Sequence, residues 1–327
     1  MAEMAAIAAS SAPLAERAQA VVETLHRWAP TFDTLWVAVT VPGTSRIAYV
    51  ASTGLDRSVV DYLDGPSVAR EIELVGLDRS ATPMSVADFP LALEELPSGA
   101  ECLLPAGLRG GLGTALFDTG GRYVGFLGLL STAGDPPPAW LRDRLGRLSS
   151  LIARALSPMR ALAASARIVR GATAGAVLLD DETVGPLPGL AGDALLAGDS
   201  PVVRIARATL RDGQVYRSFL WPAHDGHATA EHVRLTVLAA ADLPDCVLGL
   251  VVVAPAAEHR GLTPRELQVL GLVIDGRSNQ QIARRLGVSG RTVATHVEHI
   301  LHKLQAPSRT LAAVRAEREG CYVPAAP

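Results

Sequence analysis

The last sixty residues of the chain carry its clearest alternation of apolar and polar positions. Apolar residues recur at i, i+3 and i+7 in one stretch and at i and i+4 in the next. In a third stretch they recur at i, i+4, i+7, i+8 and i+11. The members are Leu267, Leu270 and Ile274, then Ile282 and Leu286, then Val293, Val297, Ile300, Leu301 and Leu304. Such spacings place side chains on one face of a helix, so the pattern predicts three short amphipathic helices between Gly261 and Glu319.

Start and stop signals bracket these helices. Thr263 precedes Pro264 and is followed three residues later by Glu266, a capping box with proline at the first helical position. Gly276 then supplies a left-handed stop. The second helix has Ser278, Gln281 and Gly287 in the corresponding places, and the third opens at Ser289. The turn at 287–289 has the length that a helix-turn-helix requires.

This segment resembles the C-terminal DNA-binding domain of the LuxR/FixJ family of bacterial transcription regulators. The matching stretches are 262–266, 278–279, 282–286, 288–289, 291–293, 295–297, 300–301 and 303–304. The resemblance implies that the third helix enters the major groove and that the second helix presents its N-terminus to phosphate groups. The residues then expected at the DNA are Ser278, Asn279, Gln280, Ser289, Arg291, Thr292, Ala294, Thr295, Glu298 and Lys303.

Two positions of the third helix depart from the family pattern. Many members carry a basic residue where this chain has Ala294, and Glu298 is acidic where a base often stands. Bidentate recognition of guanine by long cations is therefore largely missing from the middle of the helix. Ala294 and Thr295 can contact thymine methyl groups instead. Glu298 either accepts from a cytosine amino group or lies in solvent over the groove wall.

Charge and family resemblance together predict a dimeric operator-binding protein. Residues 261–320 hold nine Lys and Arg against five Asp and Glu, a net charge of +4, whereas the whole chain carries −3. This modest basic excess suits an ordinary operator binder and not a protein that coats nucleic acid. The family uses a fourth helix, here around 310–315, for dimerisation. A leucine stripe in a helix at 140–156 is the stronger dimer candidate in the full chain, unless it packs on its own sheet.

The first 256 residues predict two α+β domains with antiparallel sheets and flanking helices. In residues 1–157 the pattern gives helices at 14–28 and 140–156 and strands at 35–41, 46–51, 101–106, 113–117 and 123–130. This order resembles a GAF domain. In residues 158–256 it gives a helix at 159–169, a strand at 175–179, short helices in 191–211 and strands at 214–221, 232–240 and 246–254, which resembles a PAS domain. The all-α domain of four helices then occupies 257–327.

The rarity of lysine excludes several kinds of chemistry. Lys303 is the single lysine beside 29 arginines, so a phosphate-binding P-loop and a phospho-receiver domain both lack their lysine. The chain has no G-x-S-x-G, H-E-x-x-H or G-x-G-x-x-G motif, and no enzyme activity is expected. His224, His227 and His232 stand in a polar loop whose spacing does not enforce a metal site. Neither a metal nor a cofactor is expected.

The amino-terminal sequence and the cysteines predict a cytoplasmic protein. The opening has no basic leader before its apolar stretch and contains Glu3, so we expect no secretory signal. The longest strongly apolar run, 246–257, is too short to span a bilayer. Three scattered cysteines favour a reducing compartment, and Cys102 and Cys246 fit buried, inert thiols in apolar runs.

These patterns together predict a homodimeric transcription regulator whose GAF-like and PAS-like sensory region modulates operator binding through the short polar link at 256–261. The expected partners are double-stranded DNA, a second copy of the chain and RNA polymerase, together with an unidentified small-molecule effector but no membrane. Three alternatives remain: dimerisation scaffolds without a ligand, an autoinducer-type sensor, and an enzyme fused to a DNA-binding tail. The aromatic residues that could wall a ligand pocket are Trp36, Tyr49, Phe117, Phe126, Phe219 and Trp221.

Overall fold

Two five-stranded antiparallel α+β sheets, followed by a four-helix helix-turn-helix domain, make up the chain. The computed structural model describes residues 1–41, 44, 46–158, 169–187, 189–223, 231–239, 242–256 and 259–325. The chain divides into two compact units. Met1–Ala161 and Ala241–Val247 form the first, and Leu162–Ala240 and Leu248–Pro327 form the second.

The first unit is a sheet covered on both faces. Its strands are β1 (Thr34–Thr40), β2 (Ile47–Thr53), β3 (Met84–Ser85), β4 (Gly110–Phe117) and β5 (Tyr123–Ser131), in the order β2-β1-β5-β4-β3. Its helices are α1 (Ala2–Ala9), α2 (Leu14–Trp28), α3 (Arg57–Leu63), α4 (Pro66–Leu74) and α5 (Ala139–Leu156). The alternation of β1 explains the two covered faces. Leu35 and Val37 enter the core shared with α2 and α5, whereas Trp36 and Ala38 enter a second core on the other face.

The leucine stripe of α5 lies inside the first unit. Leu141, Leu145, Leu148 and Ile152 are each at most 3% exposed and belong to the core between α5, α2 and the sheet. The prediction that this stripe forms a dimer face is therefore wrong. A stripe of one apolar residue per turn is expected both for a helix in a dimer interface and for a helix that packs on its own sheet.

The strand predicted at 101–106 is also wrong. Residues Gly99–Leu103 form a π-helical turn, in which the Leu104 N–H donates to the Gly99 carbonyl at 2.9 Å. A Cβ at Gly99 would lie 1.7 Å from the Leu93 carbonyl oxygen, so the turn packs backbone to backbone against the preceding residues. A short apolar run fits a buried helical turn as well as a strand, and only this packing decides between them.

The sheet of the second unit has the order β7-β6-β10-β9-β8. Its strands are β6 (Ala174–Leu179), β7 (Val184–Pro186), β8 (Tyr216–Pro222), β9 (His232–Ala239) and β10 (Val247–Pro255). One longer helix, α6 (Pro201–Arg211), is capped by Ser200, whose side chain accepts from the Val203 N–H at 3.1 Å. Strands β6, β8, β9 and β10 and the break before α6 agree with the predicted pattern, whereas the short strand β7 was not predicted. The helix predicted at 159–169 lies almost wholly outside the described residues.

Four helices follow the second sheet within the same compact unit. They are α7 (Pro264–Ile274), α8 (Asn279–Leu286), α9 (Gly290–Lys303) and α10 (Arg309–Glu319). Their apolar faces join the side chains of the sheet in one continuous core, which includes Phe219 and Leu220 of β8 as well as Leu267 and Leu270 of α7. The four C-terminal helices and the second sheet therefore share a core.

Candidate DNA-binding interface

Reciprocal caps fix where the first two helices of the interface begin. The Thr263 hydroxyl accepts from the Glu266 N–H at 3.3 Å, and the Glu266 carboxylate accepts from the Thr263 N–H at 2.8 Å. Ser278 and Gln281 repeat this arrangement at 3.3 and 2.8 Å. Each box satisfies amide donors that a helix start leaves unpaired. The predicted capping residues are confirmed.

The turn between α8 and α9 depends on Gly287. This residue ends α8 with a φ of 65°, a left-handed conformation that glycine adopts without a Cβ penalty. Ser289 then caps α9, because its hydroxyl accepts from the Thr292 N–H at 3.0 Å. The turn and this cap fix the direction in which α9 leaves α8.

The third helix, α9, buries one face and exposes the other. Val293 and Ile300 are 0% and 2% exposed. Arg291, Thr292, Thr295 and Glu298 are exposed on the outer side, and Ala294 is half-buried. The structure thus places four of the polar residues expected at the DNA on the exposed side of α9. In the described part of the chain, the Arg291 guanidinium has no hydrogen bond or ion pair.

Other expected contact residues already have partners inside the domain. The Asn279 side-chain oxygen accepts from the Arg309 guanidinium at 3.0 Å. The Thr295 hydroxyl donates to the Arg291 carbonyl at 3.2 Å, and the hydroxyls of Thr292 and Ser289 lie 2.8 Å apart. Ser278 and Gln280 are exposed at the start of α8. Phosphate or base contacts by these residues stay predictions.

Lys303 is tied to α7. Its ammonium donates to Glu266 Oε2 at 2.7 Å, while the Glu266 side chain is only 3% exposed. Burial raises the pKa of the Glu266 carboxyl, but the hydrogen bonds from Lys303 and the Thr263 backbone outweigh it and hold the pKa below its usual range. His299 Nδ1 stands 3.7 Å from the same carboxylate. One buried carboxylate therefore caps α7 and fixes the end of α9, so a DNA contact by Lys303 stays a prediction.

Sequence reasoning missed Arg309. Its guanidinium donates to the Asn279 side chain and to the Arg277 carbonyl, which ties the start of α10 to the start of α8. The local sequence offers one signal, since Arg309 directly follows Ser308, the residue that caps α10. Its partners lie thirty residues away, however, and no local pattern identifies them.

The C-terminal segment, residues 321–325, was also missed. The Leu220 N–H of β8 donates to the Tyr322 carbonyl at 2.8 Å, and the Val323 N–H donates to the Leu267 carbonyl of α7 at 3.2 Å. Tyr322 is 1% exposed, and its hydroxyl accepts from Arg217 Nε at 2.9 Å. Arg234 donates to the Glu319 carbonyl at 2.9 Å. The segment therefore links the edge of the second sheet to α7, the first of the four C-terminal helices.

The aromatic residues expected to wall a ligand pocket lie in different environments. Trp36 and Phe126 line a cavity of about 90 Å³ in the first unit. Tyr49 lines a different cavity, and Phe117 packs against Tyr123. The last two sit in the second unit: Phe219 is fully buried in its core, and Trp221 borders a groove beside the C-terminal segment.

The described residues contain no helix that is long and apolar enough to cross a membrane. They also hold no group of three or more His, Cys, Asp or Glu side chains placed to bind a metal ion. His224 and His227 lie outside the described residues.

Comparison with known proteins bears on the four C-terminal helices. Residues 260–316 match the model of the family described as bacterial regulatory proteins, luxR family. These helices form a LuxR-type helix-turn-helix domain. The transcriptional regulatory protein LiaR of Bacillus subtilis is 44% identical over 63 residues, which are 19% of this chain and 30% of LiaR. The nitrate/nitrite response regulator protein NarL of Escherichia coli is 47% identical over 61 residues, which are 19% of this chain and 28% of NarL.

These matches span less than a third of the length of either curated relative. Among solved structures, Escherichia coli SdiA aligns with 97% of this chain and 95% of its own, at 16% identity and a TM-score of 0.31. The phycoerythrobilin-bound GAF domain of a cyanobacterial phytochrome aligns with 47% of this chain and 90% of its own, at 13% identity and a TM-score of 0.35. Scores this low establish neither a shared fold nor a shared ligand.

Proposed function

We propose that this chain is a cytoplasmic, DNA-binding transcription regulator that reads its operator with α9. The observation that carries the proposal is the exposed polar face of α9, held by two capped helices within a segment that matches the luxR family. A helix held in this way presents its N-terminal half to the major groove. In this assignment Arg291 neutralises a phosphate, and Ala294, Thr295 and Glu298 face base edges.

The start of α8 supplies the second set of DNA contacts. Ser278 and Gln280 are exposed there, and the free amides of a helix N-terminus suit phosphate oxygens. These contacts position the protein, whereas those of α9 select the sequence. Because Ala294 and Glu298 replace long cations, we expect an operator that is rich in thymine methyl contacts and poor in guanines recognised by bidentate pairs.

The experiment is a selection from random double-stranded DNA with the full chain. The full chain is required because Tyr322 packs against β8, so an isolated C-terminal domain would expose an apolar surface. On the selected operator, Arg291→Ala should weaken binding across sequences and reduce the salt slope by about one unit. The matched control is Arg204→Ala, since Arg204 is an exposed arginine of α6 in the same unit. If the selection enriches no sequence, the proposed function is wrong.

We further propose that the region before the helix-turn-helix modulates operator binding. The observation in favour is an apolar cavity in the first unit, lined by the buried Trp36 and Phe126. An effector shifts an equilibrium only by its difference in affinity for the two states, and a tenfold change in operator affinity corresponds to about 1.4 kcal/mol. Operator affinity of the full chain, measured with and without the small-molecule fraction of a cell extract, tests this role. Unchanged affinity would favour a scaffold without a ligand.

A further inference from the structure

Arg309 contacts the residues on both sides of the cap of α8. Its Nη1 donates to the Asn279 side-chain oxygen at 3.0 Å, and its Nη2 donates to the Arg277 carbonyl oxygen. Ser278, which caps α8, lies between these two partners in the sequence. Arg309 itself is half-buried at the first position of α10. A side chain from a different helix therefore holds the start of α8.

A guanidinium suits this double contact better than an ammonium does. Its terminal nitrogens donate in a planar fork of fixed geometry, so one side chain reaches a side-chain oxygen and a backbone carbonyl at the same time. The ammonium of a lysine is a compact charge on a flexible stem, and it does not reproduce the fork. Replacing arginine by lysine at position 309 therefore separates the geometry of the contact from its charge.

The start of α8 is the part of the proposed interface that meets phosphate oxygens. The Ser278 hydroxyl accepts from the Gln281 N–H, whereas the amides of Asn279 and Gln280 stand earlier in the first turn, where a helix supplies no carbonyl four residues back. Such amides bind a phosphate only when they point at it. The direction of this first turn therefore decides whether the contacts form.

We propose that Arg309 is a positioning residue for DNA phosphate. It does not touch DNA but fixes, through Asn279 and the Arg277 carbonyl, the direction in which the first turn of α8 presents its amides. This inference rests on the proposed DNA-binding function. Phosphate contacts hold a protein on any duplex, whereas base contacts select the sequence. Loss of the Arg309 fork should therefore weaken binding to every duplex by a similar factor and leave the sequence preference unchanged.

The test measures the affinity of the full chain for two duplexes of equal length, the selected operator and a random sequence. Arg309→Lys keeps the charge, and Arg309→Gln removes it. We expect each variant to weaken binding to both duplexes about tenfold, the effect of losing one hydrogen bond to a charged group. If Arg309 instead bound a phosphate directly, Arg309→Lys would keep most of the affinity, and Arg309→Gln would reduce the salt slope by about one unit.

Arg315→Lys is the matched control. Arg315 is also a half-buried arginine of α10, and its Nη1 donates to the carbonyl oxygens of Leu304 and Gln305 at 2.9 and 2.8 Å. These carbonyls follow the end of α9, so this contact braces the domain without reaching the start of α8. A purely structural role of both arginines would accelerate hydrogen exchange in both variants and change DNA affinity in neither. We expect the affinity to fall in Arg309→Lys alone.

Asn279→Ala removes the same contact from the other side, and it replaces Arg309→Lys if that variant does not fold. Because the two changes break one contact, their effects on affinity should not be independent. We expect the double variant to bind about threefold more tightly than the product of the two single losses predicts. Losses that multiply would show that Arg309 does not act through Asn279.

Three further results would overturn the assignment: wild-type affinity in both Arg309 variants, a loss confined to the operator, or an equal loss in Arg315→Lys. Each of them leaves the proposed function intact, because the wild-type chain still binds its operator. A wild-type chain that binds neither duplex would instead refute the proposed function, and the role of Arg309 with it.

Discussion

Replacing Gly271 with alanine sets helix propensity against packing at one position. Gly271 lies in the interior of α7, where alanine is favoured over glycine by about 1 kcal/mol. Its added Cβ, however, would lie 1.9 Å from the Val323 carbonyl oxygen and 2.9 Å from the carbonyl carbon. Both are backbone atoms, so the C-terminal segment has to move. The sequence alone predicts that the variant is stabilised, whereas the structure predicts the opposite.

The contacts of the C-terminal segment give the size of the effect. Its displacement weakens the Val323–Leu267 and Leu220–Tyr322 backbone hydrogen bonds, each of which contributes about 1 kcal/mol net. Full exposure of the Tyr322 ring would uncover about 150–250 Å², or roughly 4–6 kcal/mol. If half of the ring stays covered, the lost burial and the two lost hydrogen bonds together destabilise the chain by about 4 kcal/mol. After the gain in helix propensity, we expect a net destabilisation of about 3 kcal/mol.

Hydrogen exchange of the full chain measures the loss of stability in Gly271→Ala segment by segment. This method suits a chain of two units, because a single unfolding curve does not separate their stabilities. Exchange should accelerate in 264–274 and 216–222. Gly146→Ala is the matched control, because Gly146 lies inside α5 and its Cβ would meet only Pro83 Cδ at an ordinary 3.5 Å. That variant should slow exchange in 139–156. If Gly271→Ala slows exchange in the same way, the segment does not pack against α7.

Two further predictions concern the DNA-binding domain. Because the pKa of Glu266 is lowered in the folded chain, its contribution to stability is present above the unfolded pKa and is lost as pH falls through the folded pKa. Glu266→Gln should therefore lose less protection in 264–274 than wild type when the pH is lowered from 6 to 3, and an equal loss would refute the assignment. Val314 is 38% exposed on α10, where the resemblance to the LuxR/FixJ family predicts a dimer interface. Val314→Asp should weaken any dimer at least tenfold, as measured by sedimentation equilibrium, and should weaken operator binding with it. An unchanged dimer would mean that the interface does not involve this face of α10.

The helix boundaries of the DNA-binding domain could be predicted because caps are local. A threonine or serine that accepts from an amide three residues later, and a glycine that ends a helix in the left-handed region, involve residues within one turn. The periodic spacing likewise identified Val293 and Ile300 as core residues. The exposed face of α9 follows from that spacing without any knowledge of the rest of the chain.

Long-range pairings could not be predicted in this way. Leu220 and Tyr322 are about a hundred residues apart, and the short sequence around Tyr322 has no periodicity that would mark it as core. The apolar run at 101–106 is compatible with both a strand and a buried turn. The close approach of the Gly99 and Leu93 backbones selects the turn. Trp36 and Phe126 could be named as aromatic residues on strands, but their cavity depends on the residues that cover the sheet.

The shared core of the second unit changes what an effector has to do. If the link at 256–261 were the only connection between the sheet and the helices, a ligand could reorient α9 at a small cost in free energy, because the domain would be loosely held. Releasing the C-terminal segment would instead cost two backbone hydrogen bonds and the burial of Tyr322, roughly 6 kcal/mol or more. A tenfold change in operator affinity needs only about 1.4 kcal/mol. We therefore expect an effector to move the second sheet and α9 as one body and to act on how two copies are arranged on the operator.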